Sequence, residues 1–265
     1  MRGRLPVVMV HGAFCGSWVF DAWRALFETK GFAVHTPLLR HHEPGADMNA
    51  LGHTGLCDYA SDLCTLIERI GGSPVVIGHS LGGLLAQMLA ARTRVRALVL
   101  LAPSPPWGML CSTGFEFASA QALYFEGAFW RKAIAPRRRI AAEHALASVP
   151  EEQRAAILDR LVPESGQAMF EVLHWMFDLH RAAHVDARAV ACPILCLAGA
   201  ADRINPPETV RRIARRYGGR ARYEELAGHG HWLTGEAGWE KIAGGALEWL
   251  LRVLGRDPES VGGGI

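Results

Sequence analysis

Val75-Val76-Ile77 is a short β-branched run that stops at Gly78-His79-Ser80-Leu81-Gly82-Gly83, and a helix-forming stretch begins at once with Leu84-Leu85. Few local patterns constrain a chain so tightly. A strand has to turn sharply into a helix, with a serine at the tip of the turn. Gly78 and Gly82 have a steric job there, because side chains beside a backbone held in an unfavourable region would collide with the turn. A G-x-S-x-G segment placed between strand and helix lifts its serine hydroxyl out of the carboxyl edge of a sheet. The positive end of the following helix lies beneath it. Ser80 is therefore expected to be a nucleophile for acyl transfer rather than an ordinary serine in a glycine-rich turn.

The rest of the chain supplies a sheet for that turn to stand on. Apolar strands are expected at Leu5 to Val10, Phe32 to Pro37, Ala97 to Ala102, Ile194 to Ala198 and Ala221 to Leu226. Between them, apolar spacing predicts helices at Trp18 to Thr29, Leu56 to Ile70, the stretch after Ser80 to about Ala91, Pro207 to Tyr217 and Gly238 to Leu254. Leu56, Tyr59, Leu63, Leu66, Ile67 and Ile70 share one face of the second of these. Leu38 to Gly55 reads as a long loop rich in His, Gly and Pro. Strands alternating with helices imply an α/β fold, a mostly parallel sheet with helices on both faces. From Ser104 to Pro193 the pattern changes to interleaved aromatic and basic residues with no clear strand. Residues 1–103 and 188–255 are expected to form the core, 104–187 an inserted helical lid above Ser80, and 256–265 a flexible glycine-rich tail.

Composition narrows the partners. A chain of 265 residues, half of them hydrophobic, can bury one large core, and a net charge of +2 is too small to favour nucleic acid or an anionic membrane. No apolar run is long enough to span a bilayer. Val7 to Val10 is too short for the apolar region of a signal peptide and is interrupted by His11-Gly12, so a cytoplasmic location is expected. The six cysteines form no tight framework and no C-x-x-C pair, which favours reduced thiols and argues against a metal cluster. His41, His42 and His53 read as a solvated loop rather than as metal ligands. Arg137-Arg138-Arg139 and Arg211, Arg212, Arg215 and Arg216 read as solvated helix faces. The oligomeric state is open, with a homodimer compatible.

A serine hydroxyl needs an adjacent base, and histidine can take and return one proton near neutral pH. A buried carboxylate then fixes the histidine's tautomer. Asp202 follows a strand end in Gly199-Ala200-Ala201-Asp202, where ligand-facing residues belong, and Asp186 is its weaker rival. His229 and His231 both lie in the loop after the last strand. His231 is preferred because Trp232-Leu233 next to it turn into apolar packing. Two backbone amides are needed where negative charge develops. Leu81 should supply one and Ala13, in the His11-Gly12-Ala13 turn after the first strand, the other. Among aromatics, Phe14, Trp107, Trp130, Trp175 and Trp232 are candidate substrate contacts. Phe115, Phe117, Tyr124, Phe125, Phe129 and Phe177, with Trp107, Trp130 and Trp175, are expected to be mostly core between lid and sheet.

Together, His11-Gly12-Ala13, Gly78-His79-Ser80-Leu81-Gly82-Gly83, Gly199-Ala200-Ala201-Asp202 and Gly230-His231-Trp232 resemble the α/β-hydrolase superfamily over nearly the whole chain. The superfamily's order of serine, acid, histidine is matched by Ser80, Asp202 and His231. The His11 to Trp18 loop is similar to small esterases, plant-type methylesterases and hydroxynitrile lyases, and Gly31 to Leu39 to bacterial carboxylesterases and monoacylglycerol lipases. Serine rather than aspartate at position 80 points away from the dehalogenase and epoxide hydrolase branches. The lysine that such lyases carry after the histidine is Trp232 here. The usual Gly-His-Gly after the second strand is replaced by Arg40-His41-His42-Glu43-Pro44-Gly45.

The resemblance implies a serine esterase acting on a small-molecule ester with a largely hydrophobic acyl or alcohol part, without a cofactor or a metal. Thioester, lactone and amide cleavage use the same machinery. A cofactor-free lyase or oxygenase and a non-catalytic ligand receptor are the alternatives on the same fold.

Overall fold

The computed structural model describes residues 4–255, so the expected flexible tail, 256–265, lies outside the described residues. Six strands form the main sheet: β1 (Pro6–Val10), β2 (Ala33–His35), β3 (Val75–His79), β4 (Ala97–Leu101), and, later in the chain, β7 (Ile194–Gly199) and β8 (Ala221–Leu226). Their order is β2-β1-β3-β4-β7-β8, and every neighbouring pair is parallel. The strand preceding Ser80 therefore lies inside the sheet, between β1 and β4.

Alternation along the strands sorts their side chains into two layers. Val8, Val10, Val76, Leu98, Leu100 and Cys196 face one side. There they meet α3 (Leu56–Ile70), α4 (Leu81–Arg92) and α9 (Pro207–Arg216). Val7, Met9, Val75, Ile77, Val99 and Leu197 face the other, against α1 (Asp21–Thr29) and α10 (Trp239–Val253). Both faces of the inner strands are covered, which is why β3 and β4 are apolar at every position except the turn-forming end of β3. Helix α4 is buried along Leu81 to Ala90 on all sides, so it carries no polar stripe at its centre.

Two expectations about local structure change. The loop from Leu38 to Gly55 contains a short helix, α2 (Met48–Gly52), started by Asp47, whose Oδ1 accepts the Asn49 and Ala50 amides. The expected first helix begins as a 3-10 turn, Ser17–Phe20.

The segment between β4 and β7 is mostly short helices: α5 (Gly114–Gln121), α6 (Arg138–Ile140), α7 (Glu151–Leu158) and α8 (Gly166–Leu173). It also contains strands, contrary to expectation. β5 (Ala133–Ile134) and β6 (Glu164–Ser165) pair antiparallel. Two residues a side leave no period for sequence to reveal, and their pairing is made by tertiary contact alone. Only Phe129 of the segment's aromatics is fully buried. Phe117, Phe125 and Phe177 are exposed, so they are not packing between this segment and the sheet.

The basic clusters are paired at the surface, Arg137 with Glu126, Arg138 with Asp159, Arg139 with Glu143, and Arg211 with Glu208 and Glu225. All six cysteines are free thiols.

Candidate active site

Ser80 stands between β3 and α4 with φ 53° and ψ −118°, a conformation costly for any residue with a side chain. The surroundings over-determine it. Its amide donates to Leu101 O (3.0 Å), and its carbonyl accepts from Gly83 and Ser104 (both 2.9 Å). Leu81 is the first residue of α4, so its amide has no acceptor within the helix.

Asp202 is buried past the end of β7. Its Oδ1 accepts the amides of Ile204 (2.8 Å) and Asn205 (3.1 Å), and its Oδ2 accepts from His231 Nδ1 at 2.8 Å. A carboxylate can only accept here, so Nδ1 carries the proton and Nε2 is left as the basic nitrogen. Asp186, the rival acid, is exposed, and its Oδ1 accepts the Arg188 amide in a local turn. His229 is engaged elsewhere, with Nδ1 3.0 Å from Glu236 Oε1.

Ser80, His231, Leu81 and Ala13 all line one cavity of about 280 Å³. The structure brings Ser80 and the His231–Asp202 pair to the same place from three loops. No hydrogen bond joins the Ser80 hydroxyl to His231 among the described residues, a looseness common before substrate binds. Gly12 runs close against Ser80, since a Cβ there would lie 3.0 Å from Ser80 Cβ. Of the candidate substrate contacts, Phe14, Trp175 and Trp232 line the cavity; Trp107 and Trp130 do not. Trp107 instead donates from Nε1 to Trp175 O (3.0 Å), with Arg181 over its ring, and Trp130 packs on Tyr124, Phe129 and Phe170.

The rest of the wall is mostly apolar, with Met109, Phe115, Leu123, Ile134, Ile140 and Leu146 prominent. Of the charged groups that line the cavity, Arg137 pairs with Glu126, and Glu116 accepts from the neutral donors of Ser112, Thr113 and Thr209.

Several residues around the site carry no sequence motif of their own. His79 is buried, and its Nε2 donates to His231 O (2.8 Å), tying the histidine loop to β3. Burial, then the nearby His231, pushes its pKa down to about 3, so it stays neutral. Asn205 Nδ2 donates to Ala102 O (2.8 Å) across the ends of β4 and β7. Glu236 receives the Gly230 amide (3.1 Å) as well as His229. His42, expected in a solvated loop, is buried against Glu164 because that carboxylate meets it at 3.2 Å. Only the position of His79, inside the G-x-S-x-G turn, offered a signal that could have flagged any of them.

Comparison with known proteins agrees with this architecture. A monoacylglycerol lipase from Paleococcus ferrophilus is similar over 95% of this chain and 96% of its own, with 24% identity and a TM-score of 0.68. An esterase from Exiguobacterium antarcticum is similar over 94% of this chain and 93% of its own, with 18% identity and a TM-score of 0.73. A pyrethroid hydrolase from Sphingobium wenxiniae (strain DSM 21828 / CGMCC 1.7748 / JZ-1) is 33% identical over 87 residues, a match spanning 32% of this chain and 30% of that relative. The model of the alpha/beta hydrolase family matches residues 7–244, and the chain belongs to that family.

Proposed function

We propose that the chain is a serine hydrolase that cleaves a carboxylic ester with a largely hydrophobic acyl or alcohol part through an acyl-enzyme. The observation that carries this is the 2.8 Å contact of Asp202 with His231 in the cavity that holds Ser80. In this scheme the Ser80 oxygen attacks the ester carbon as its proton passes to His231 Nε2. Asp202 keeps Nδ1 protonated and stabilises the imidazolium. The Ala13 and Leu81 amides receive the oxyanion, and His231 then protonates the departing alcohol. Water repeats the sequence on the acyl-enzyme. Residues 104–187 act as a lid, supplying an apolar roof that excludes water and strengthens the oxyanion's hydrogen bonds. The esterase, lipase and pyrethroid hydrolase activities named for the similar proteins fit this reading.

A fluorophosphonate is expected to label Ser80, with the modified peptide identified by mass spectrometry. Over a panel of p-nitrophenyl esters, kcat/KM should rise by up to about fourfold per added methylene while the chain still fits the cavity. Anionic acyl groups should be poorer, since the cavity offers no unpaired cation. Rates rising with substrate charge and falling with chain length would contradict the apolar pocket. His229→Ala should leave kcat within a few fold, whereas His231→Ala should abolish it; the opposite pattern would exchange their roles.

A further inference from the structure

Glu164 belongs to β6, outside the main sheet, yet it is fully buried and meets three distant parts of the chain. Its Oε1 accepts the Tyr59 hydroxyl (2.8 Å) and the Ser165 amide (2.7 Å). Its Oε2 accepts from His42 Nε2 (3.2 Å) and from the Phe14 amide (3.3 Å). His42 uses its other nitrogen on Arg40 O at 3.1 Å. Carboxylate and carbonyl oxygens only accept, so both ring nitrogens carry protons and the contact is an imidazolium–carboxylate pair. Burial opposes the charge on His42, but Glu164 together with the backbone hydrogen bonds to Arg40 and Leu39 outweighs it and raises the pKa. Burial likewise opposes the charge on Glu164, and His42 with the other donors holds its carboxyl below the usual range.

What this pair grips is the turn after β1. Phe14 has φ 61°, left-handed and unusual for a residue with a side chain. Its carbonyl is held from the same segment that supplies Glu164, since the Val162 amide donates to Phe14 O at 3.0 Å. Two residues earlier, His11 Nδ1 donates to Gly12 O (2.9 Å), and the Leu39 amide donates to His11 Nε2 (3.1 Å). In a planar trans peptide the carbonyl and the next amide point opposite ways, so fixing Gly12 O directs the Ala13 N–H away from His11. Ala13 and Phe14 line the cavity with Ser80, and Glu164 is not among the residues that line it.

We propose that Glu164, with His42 as its counter-charge, is a positioning residue for the oxyanion-binding turn: by holding Phe14 left-handed it fixes the Ala13 amide where negative charge develops. The kinetic consequence rests on the ester-cleaving function proposed above; the structural one does not. Glu164 touches no reacting atom. Residues 162–164 become part of the machinery rather than a cover that swings clear of it.

Glu164→Gln keeps the shape and one acceptor oxygen but removes the charge. Per titrated active site, kcat on a p-nitrophenyl ester should fall roughly tenfold or more with KM within about twofold. A trifluoromethyl ketone adds the Ser80 oxygen at its carbonyl carbon as the proton passes to His231. Its affinity should fall by the same factor as kcat/KM. Amide hydrogen exchange over residues 11–16 should quicken about tenfold. A glutamate that only stabilises the fold would lower the melting temperature and leave kcat and ketone affinity at wild-type values, and that result overturns the proposal. If Glu164→Gln does not fold, Glu164→Asp, which keeps the charge and withdraws the oxygens by one methylene, takes the same measurements. Unchanged exchange over 11–16 overturns the proposal whether or not any ester is cleaved. Faster exchange, in a chain whose wild type cleaves no ester, supports the clamp and removes only the proposed activity.

Discussion

Ser80→Ala is expected to lower kcat/KM on a p-nitrophenyl ester by roughly 10⁵-fold or more, while the melting temperature moves by only a few degrees. The size follows from the division of labour at the site. In the proposed mechanism the Ser80 oxygen is the nucleophile that His231 and Asp202 activate, so removing that oxygen removes the covalent route. What survives is whatever the amides of Ala13 and Leu81 and the apolar cavity do for attack by water. The fold should persist because the turn is held by backbone bonds, Ser80 N to Leu101 O and Ser80 O to the Gly83 and Ser104 amides, which alanine keeps. Alanine meets the same strain at φ 53° as serine does, so no large change in stability accompanies the loss. Steady-state rates, active-site titration and thermal melting on the same preparation check this. A variant retaining more than a tenth of wild-type turnover would transfer the chemistry away from Ser80.

Gly82→Ala is expected to act on stability instead, by about 3 kcal/mol or more. A Cβ on Gly82 would overlap the Val10 carbonyl oxygen and crowd the His11 carbonyl at 2.5 Å. Those are backbone atoms of β1 and the turn after it, so no side-chain rotation relieves the clash. Either α4 lifts away from the sheet or the end of β1 shifts. The first breaks the packing of a helix buried along Leu81 to Ala90, and the second displaces Gly12 and Ala13 from Ser80. Denaturant unfolding should show the lower stability, and any protein that folds should show reduced labelling by a fluorophosphonate. Gly78→Ala meets the Gly82 carbonyl in the same way and should behave alike. By contrast, alanine at Gly244, which has open space around it on α10, should be harmless in the same melts.

The order of strands and helices was legible because it is written in short-range patterns. The helix expected at Leu56 to Ile70 and the strand at Ala221 to Leu226 match their observed bounds, since period and bounding glycines are local signals. Helix α2 carries no such signature, because five residues hold little more than one turn. The pair β5 and β6 carries none either, because its partners lie some thirty residues apart with two residues each. For the aromatics of 104–187, composition indicated apolar surface but not its direction. Trp175 faces the cavity, Trp107 braces Trp175, and Phe125 is 92% exposed.

On its own, the amino-acid sequence determined the G-x-S-x-G turn at Ser80, the alternation that builds a parallel sheet, and the candidate acid and base at strand ends. Each depends on neighbours within a few residues, where steric and hydrogen-bonding rules act directly. Only the tertiary structure decided that His231 rather than His229 meets Asp202, that Trp107 and Trp130 stay outside the cavity, and that Glu164 reaches Phe14 across 150 residues. Those outcomes depend on how separate elements stack. A buried carboxylate finds its donors wherever packing happens to place them, and no periodicity records the meeting.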